Sequence, residues 1–277
     1  MIVDYHMHLR RPADGFEEID HTVEAVERFV ERARERGVDE IGFTEHVYYF
    51  RQTRDLWTMP YHVDRCVHDL DRYCDAVVEA KRKGFPVKLG LEVDYVPGRE
   101  RETHDLLEPY PWDYLLGSVH EVEGHAIDAD PQMGLWKHFT VEEVWRRYFI
   151  GLRGAARSGL FDILSHPDLV KIFGRRPSAD AVLLHHEETA DAIEAAGDVA
   201  IEVSTAGLRK PVGELYPDAG FLAACRAREL PVTTASDAHV PDDVGFGFDQ
   251  ALEFVRTAGY ETVTVFDGRQ ARQEPLG

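Results

Sequence analysis

The chain has 277 residues, and its 31 lysines and arginines against 51 aspartates and glutamates give a formal net charge of −20. Its apolar content of 44% is enough for a packed core, which excludes an acidic disordered chain. No apolar run reaches the roughly 18–20 residues that cross a bilayer, and the acidity argues against broad binding to nucleic-acid phosphates.

Short apolar runs alternate with longer helical patterns along the whole chain, without an internal repeat or a low-complexity segment. Seven runs rich in Val, Ile, Leu or aromatic residues are typical of strands that are buried on both faces. These predicted strands cover residues 2–5, 40–43, 87–92, 114–118, 161–165, 200–203 and 232–234.

Helical patterns fill the intervals between these runs. Residues 23–33 place apolar side chains three or four positions apart, so that they share one face, and Gly37 follows where a C-cap glycine would lie. Residues 141–152 repeat this pattern behind Thr140 and Glu143, which have the spacing of a capping box. Further helices are predicted near residues 64–83, 180–196, 218–228 and 247–258.

This alternation predicts an α/β fold with a parallel sheet and right-handed crossovers. The simplest arrangement of seven such strands is a closed (β/α)7 barrel, and we expect residues 1–277 to form a single domain. An open, doubly wound sheet is the alternative.

Two weaker signals concern the compartment. Residues 1–6 lack the basic and apolar regions of a secretion signal. The three cysteines, Cys66, Cys74 and Cys225, are too few and too scattered for a disulfide framework, which favours a reducing environment. We therefore expect a cytoplasmic protein, with its cysteines in small apolar positions on helices.

Nearly every predicted strand ends in residues that can ionise or bind a metal. Because the carboxyl ends of parallel barrel strands share one face, where active sites form, these residues should converge. In strand order they are His6 and His8, Glu45 and His46, Glu92 and Asp94, Ser118 and His120, His166 and Asp168, Glu202 and Ser204, and Asp237 and His239.

The sharpest local signal is the His6-Met7-His8 segment. Alternation along a strand points both imidazoles to the same side, so that both nitrogens can bind one ion. Alone, such a pair is equally consistent with two hydrogen-bonded histidines, but strand-end histidines on four further strands favour metal binding. Glu92 ends an apolar run, where a metal would compensate a charge that is otherwise costly to bury.

The other histidines lie on predicted helices or loops without converging partners, and we expect them at the surface. They include His21, His62, His68, His104, His138, His185 and His186. Imidazole and carboxylate ligands without cysteine suit Zn, Mn or Fe. The candidate ligands exceed the needs of one ion, so two or three divalent ions are expected, a number suited to phosphoryl transfer.

As a set, these segments resemble the PHP (polymerase and histidinol phosphatase) family of metal-dependent phosphoesterases. The similar segments are Asp4-Tyr5-His6-Met7-His8, Gly42-Phe43-Thr44-Glu45-His46, Gly90-Leu91-Glu92-Val93-Asp94, Gly117-Ser118-Val119-His120, Ser165-His166-Pro167-Asp168 and Ser236-Asp237-Ala238-His239. Residues 90–98 and 205–211, and Lys171 shortly after His166, are most similar to the histidinol-phosphate phosphatases of that family.

The resemblance implies a distorted, TIM-like (β/α)7 barrel with three metals at the carboxyl ends of its strands. Matched position by position, it implies a first ion held by His6, His8, Glu92 and Asp237. Glu92 would bridge to a second ion on His120 and His166. The third ion would take His46, His239 and Asp14, with Glu18 or His21 as alternatives to Asp14, and Glu45 would orient an imidazole.

Two features depart from the family pattern. Ser204 stands where similar phosphatases carry Asn, and its reach is shorter. The loop after His120 carries Glu121, Glu123 and His125, where aromatic or neutral residues are more familiar. These departures concern the substrate and leave the chemistry unchanged.

The predicted reaction is hydrolysis of a small phosphate monoester, with L-histidinol phosphate as the first choice. Arg209, whose planar fork matches phosphate, and Lys171 would stabilise the phosphoryl oxygens. Asp237 or His239 would protonate the leaving alkoxide.

Contacts to the rest of the substrate follow from the same loops. Ser204 and His125 are candidate substrate contacts. The cationic end of an amino-alcohol phosphate would meet Glu121, Glu123 or Asp94.

Three other functions stay open at this stage. A PHP-type phosphodiesterase or exonuclease would share the ligands but should have a basic groove, which the net charge of −20 disfavours. An amidohydrolase would want a bridging lysine near the fourth strand. A non-catalytic metal-binding regulatory module would be expected to have lost some ligands. The acidity favours a small phosphorylated partner over a long polyanion, and it leaves the oligomeric state open.

Overall fold

A ring of short parallel strands forms the centre of the computed structural model, which describes residues 1–13, 16–129, 132 and 134–277. In chain order the strands are β1 (Val3–Asp4), β2 (Arg10–Ala13), β3 (Phe16–Ile19), β4 (Glu40–Phe43), β5 (Val87–Leu89), β6 (Glu92–Asp94), β7 (Leu116–Ser118), β8 (Glu121–Val122), β9 (His125–Ala126), β10 (Ile163–Leu164), β11 (Ala200–Ser204), β12 (Val232–Ala235), β13 (Thr262–Asp267) and β14 (Gln270–Pro275). The helices are α1 (Val23–Glu35), α2 (Pro60–Val63), α3 (Leu70–Arg82), α4 (Glu100–Leu107), α5 (Leu135–His138), α6 (Val141–Arg157), α7 (Ala179–Ala196), α8 (Ala219–Ala227) and α9 (Phe248–Thr257).

The parallel strands close into a barrel. One sheet has the order β1-β4-β5 and the other the order β12-β11-β10-β7-β6. A bridge between His46 and Glu92 joins the two sheets on one side. On the other side the Tyr5 amide donates to the Thr234 carbonyl, which brings β12 against β1. The barrel prediction is therefore confirmed, and the open sheet is not observed.

The predicted strand 87–92 is divided in two. Its first part, β5, pairs with β4, and its second part, β6, pairs with β7. The break falls at Gly90, where a Cβ would lie 2.8 Å from both the Thr44 methyl group and the Tyr114 ring. Only glycine allows this close approach, and the break aims Glu92 at the carboxyl end of the barrel.

Local signals place the helices close to their predicted positions. The Glu143 amide donates to Thr140 Oγ1 at 3.3 Å and the Thr140 amide donates to Glu143 Oε2 at 2.9 Å, which is the predicted capping box of α6. The helix predicted near 64–83 begins later, at Leu70, because the Asp69 side chain caps it by accepting from the Asp71 amide.

Three antiparallel hairpins are not among the predicted elements: β2 with β3, β8 with β9, and β13 with β14. The β13–β14 hairpin closes the amino end of the barrel, where Val263, Val265 and Phe266 pack with Val3 and Tyr5 in an apolar cluster. The barrel is therefore apolar at its amino end and keeps its polar groups at the other.

All three cysteines are buried and free, as predicted. Within the described part of the chain, no helix combines the length and the apolar character that a bilayer crossing requires.

Candidate metal centre

Eight of the nine predicted ligands converge at the carboxyl end of the barrel. They are His6, His8, His46, Glu92, His120, His166, Asp237 and His239. They form four overlapping sets of three residues whose ligand atoms lie within 4.8 Å of one another, and His6, His8, His46 and Glu92 each belong to two sets. The ninth, Asp14, lies outside the described residues.

Glu92 lies at the centre of this group and is fully buried. Its Oε1 atom lies 3.0 Å from His166 Nε2, 3.3 Å from His120 Nε2 and 3.4 Å from His6 Nε2. Its Oε2 atom faces His46 Nδ1 and lies 3.7 Å from His8 Nε2. One carboxylate thus meets five imidazoles from four different strand ends, which agrees with a bridging role.

His8 extends the group on the side away from His166. Its ring centroid lies 4.2 Å from that of His46 and 4.3 Å from that of His239. Asp237 Oδ1 lies 3.4 Å from His8 Nε2 and 3.7 Å from His6 Nε2. These residues therefore offer ligand atoms for more than one ion.

The donor set fits divalent cations. Four buried atoms at the centre, His6 Nε2, His8 Nε2, His46 Nδ1 and Glu92 Oε2, have no hydrogen-bond partner among the described residues. Burying several polar atoms without partners is costly, and a cation bound by imidazole nitrogens and carboxylate oxygens removes that cost.

Electrostatics prepare the carboxylates and two of the imidazoles for metal binding. Burial raises the pKa of Glu92, but His46, His6 and His120 overcome this and hold that pKa well below its usual range. The pKa of Asp237 is lowered in the same way, mainly by His6. Burial lowers the pKa of His46 to about 4, so that this imidazole is neutral at pH 7, the form that binds a metal.

Two ligands behave in the opposite way. Burial lowers the pKa of His6, but Glu202 and Glu92 raise it well above its usual range, and Asp94 and Glu92 do the same for His120. These imidazoles hold protons in the absence of a cation, so metal binding should release protons.

Three further carboxylates lie next to the Nδ1 atoms of imidazoles in the centre, on the side of each ring away from Glu92. Glu202 Oε2 lies 2.9 Å from His6 Nδ1, and Asp94 Oδ1 lies 2.7 Å from His120 Nδ1. Glu45 Oε2 lies 3.5 Å from His8 Nδ1, in agreement with its predicted orienting role. Each contact engages the Nδ1 atom and leaves Nε2 facing the centre. The hydrogen bonds of Glu202 and Asp94 fix the ring orientation and tautomer of His6 and His120, whereas the longer Glu45–His8 contact is not a hydrogen bond.

Glu202 is a residue that sequence reasoning noted at a strand end without giving it a role. Its second oxygen accepts from the His166 amide at 3.1 Å, so that one buried carboxylate supports two ligands. The sequence signal for this role was a carboxylate within an otherwise apolar strand, and every residue of that strand is buried in the structure.

The loop that carries Asp237 is held in a strained conformation. Asp237 has a φ of 53°, in the left-handed region that a non-glycine residue rarely adopts. Asp4 Oδ1 accepts from the Ser236 amide at 2.8 Å, and Arg209 Nη2 donates to the carbonyls of Ser236 and Asp237 at 2.7 and 3.0 Å. Asp4 and Arg209 thus position this ligand from opposite sides of the chain.

Unlike the candidate metal ligands, the predicted substrate contacts do not all lie at the barrel mouth. Arg209 lies at the edge of the centre with its side chain 20% exposed, and its Nη1 has no partner among the described residues. His125 lies on the β8–β9 hairpin, where its ring packs against His138 and Phe139 at the end of α5.

The geometry does not support Lys171 and Ser204 as substrate contacts. Lys171 is fully buried, and its ammonium group binds Asp168 Oδ2 at 2.8 Å and the Leu215 carbonyl at 2.7 Å. Ser204 is also fully buried, and its hydroxyl accepts from the Ala206 amide at 3.3 Å. Both polar groups serve the packing of the loops behind the centre.

The surface prediction for the remaining histidines is wrong for His21, His62 and His186, which are buried. His21 Nε2 lies 3.5 Å from Glu45 Oε1, whereas the alternative third-site residue Glu18 is exposed and bonded to Arg11. His21 lies just before α1 and His62 on the single turn of α2, where no periodicity indicates burial, whereas His186 lies on α7 and is buried by its stacking on Phe221 of α8.

One further set of possible ligand atoms lies apart from the barrel mouth, on Asp168, His186 and Asp218. The Lys171 ammonium group already balances Asp168, and Asp218 accepts from the Phe221 amide as the cap of α8. A hydrogen-bonded packing role accounts for this set without a metal.

A barrel whose carboxyl end gathers imidazoles and carboxylates around one shared glutamate defines the class of metal-dependent hydrolases. The sequence model of the PHP domain matches residues 4–206, and the chain belongs to that family.

Curated relatives agree with this assignment. The chain is 33% identical over 261 residues to a Deinococcus radiodurans protein named a probable histidinol-phosphatase, covering 93% of this chain and 94% of that one. It is 24% identical over 257 residues to a histidinol-phosphatase of Bacillus subtilis, covering 83% and 92%.

A solved structure shares the fold. The histidinol phosphate phosphatase of Lactococcus lactis, crystallised with Zn, L-histidinol and phosphate, superposes with a TM-score of 0.73 over 98% of both chains at 20% identity. The TIM-like barrel predicted from the sequence is thereby confirmed.

Replacing Glu202 by glutamine should weaken metal binding. The amide keeps the shape but removes the charge behind His6, and such supporting carboxylates contribute about 10–100-fold to metal affinity. Competition with a chromophoric chelator measures the affinity. The matched control is Glu102→Gln, an exposed position on α4. Unchanged affinity in Glu202→Gln would contradict the supporting role.

Proposed function

We propose that this protein hydrolyses L-histidinol phosphate to L-histidinol and phosphate. The observation that carries the proposal is the set of five imidazoles from four strand ends around Glu92, in a PHP-family chain. The names of its relatives, and the L-histidinol and phosphate bound to the Lactococcus lactis enzyme, support this substrate over other monoesters.

The centre would hold two or three divalent ions, with Zn, Mn and Fe as candidates. Following the family assignment, His6, His8, Glu92 and Asp237 would hold the first ion, Glu92, His120 and His166 the second, and His46, His239 and Asp14 the third. Such ions supply water activation and charge neutralisation during phosphoryl transfer.

Side chains of the protein would bind the phosphoryl group and supply the proton for the leaving group. Arg209 would direct its free Nη1 at the phosphoryl oxygens while its Nη2 keeps the Asp237 loop in place. Asp237 and His239 are the candidates for returning a proton to the leaving alkoxide. The His239 side chain, 26% exposed, is the more open of the two.

A turnover panel tests the substrate assignment. Metal-loaded protein should hydrolyse L-histidinol phosphate with a higher kcat/KM than other phosphate monoesters, and should leave dinucleotides and amides intact. Release of inorganic phosphate measures the first group, and chromatography the others. Turnover of diesters alone would overturn the proposal in favour of a phosphodiesterase.

Replacing Arg209 by alanine should lower kcat/KM about 10²- to 10³-fold, the usual effect of removing one donor to a developing phosphoryl charge. Because Arg209 also holds the loop of the candidate ligand Asp237, metal content is measured in parallel and the loss in kcat/KM is expressed per bound ion. Lys210→Ala, at the exposed neighbouring position, is the control and should keep full activity. Full activity in Arg209→Ala would rule out a role for its guanidinium group.

A further inference from the structure

A cavity of about 470 Å³ opens beside the metal centre. Its walls include Trp57, Met59, Asp94, His120 and Glu121. His120 belongs to both places, since its Nε2 lies 3.3 Å from Glu92 while its Nδ1 contacts Asp94 in the cavity wall. The cavity therefore begins one imidazole ring away from the reacting centre, and its volume suits a small organic group.

Two carboxylates in this wall are incompletely partnered. Asp94 is 7% exposed, and although its Oδ1 contacts His120, its Oδ2 has no hydrogen-bond partner among the described residues. The Glu121 side chain is 24% exposed, and its ion-pair contact is His62 Nε2 at 3.4 Å.

The third acid of the loop is excluded by its contacts. Glu123 is exposed and forms an ion pair with Arg147, so its charge is already balanced at the outer rim. The contacts thus separate the acids that the sequence left as equal alternatives. Among the described residues, Glu121 and Asp94 have no ion pair with a lysine or arginine, whereas Glu123, which also lines the cavity, is paired with Arg147.

We propose that Glu121, together with the free oxygen of Asp94, forms the subsite that binds the α-ammonium group of the substrate. This inference rests on the proposed function, and it names the part of the protein that selects an amino-alcohol phosphate. In L-histidinol phosphate the amine is carried by the carbon next to the ester carbon, which matches an acidic pair one imidazole ring from the centre. His62 positions Glu121 from behind.

The apolar part of the same cavity completes the subsite. Trp57, Met59, Val122 and Ile150 line it, which gives the remaining carbon skeleton and ring an apolar wall. An ammonium group bound to a partly buried carboxylate is held more strongly than a neutral hydrogen-bonded group.

Substrate discrimination by Glu121→Gln tests the subsite. The variant should lose ~10- to 100-fold in kcat/KM for L-histidinol phosphate, mainly through KM, because it lacks the charge that pairs with the amine. It should keep wild-type kcat/KM for imidazolylpropyl phosphate, the same ester without its amine. Glu123→Gln, on the same loop, should match wild type on both esters. Equal losses on both esters, or no loss on either, would overturn the proposal.

Binding of the product separates the subsite from catalysis. Calorimetry with L-histidinol on metal-loaded protein should show binding to wild type and to Glu123→Gln, and weaker binding to Glu121→Gln. Imidazolylpropanol should bind wild type and Glu121→Gln equally, and metal content should be the same in all three proteins. If wild type turned over no L-histidinol phosphate but bound L-histidinol through Glu121, the proposed function would fail and the subsite would stand. L-histidinol binding that is absent, or that does not depend on Glu121, would overturn the subsite itself.

Discussion

The structure depends on how the negative charge of Glu92 is balanced. This carboxylate is fully buried at the carboxyl end of the barrel, and the basic groups that reach it are five imidazoles from four strand ends. Imidazoles titrate near neutral pH, so they balance the charge only by taking protons, and burial opposes this at His46. Divalent cations would resolve the conflict, because neutral imidazole nitrogens and carboxylate oxygens are ligands that such ions bind.

The rest of the barrel mouth supports that arrangement. Glu202, Asp94 and Glu45 hold three of the imidazoles from behind, and Asp4 and Arg209 fix the strained Asp237 loop. The net charge of −20 acquires a clearer meaning in this light. Part of this negative charge belongs to buried carboxylates that would bind cations or support the ligands. Bound cations would make the local charge positive, so that a small phosphate ester could approach.

The fold and the convergence of the candidate ligands were largely predictable from the sequence because both depend on strand periodicity. Seven short apolar runs ending in His, Glu or Asp predict a barrel and, through its common carboxyl face, a single site. The contacts of Lys171 and Ser204 were not predictable, because the loops that bury them against Asp168 and the Ala206 amide are set by tertiary packing. For the same reason the burial of His21 and His62, in segments without periodicity, was missed.

The shared role of Glu92 is tested most directly by the number of ions bound per chain in Glu92→Gln. Protein equilibrated with Zn and desalted is analysed by mass spectrometry of the metal, with Glu102→Gln as the control at an exposed position. The wild type and the control should bind two or three ions, and Glu92→Gln should bind at least one fewer. Wild-type stoichiometry and affinity in Glu92→Gln would contradict the account of a centre built around this carboxylate.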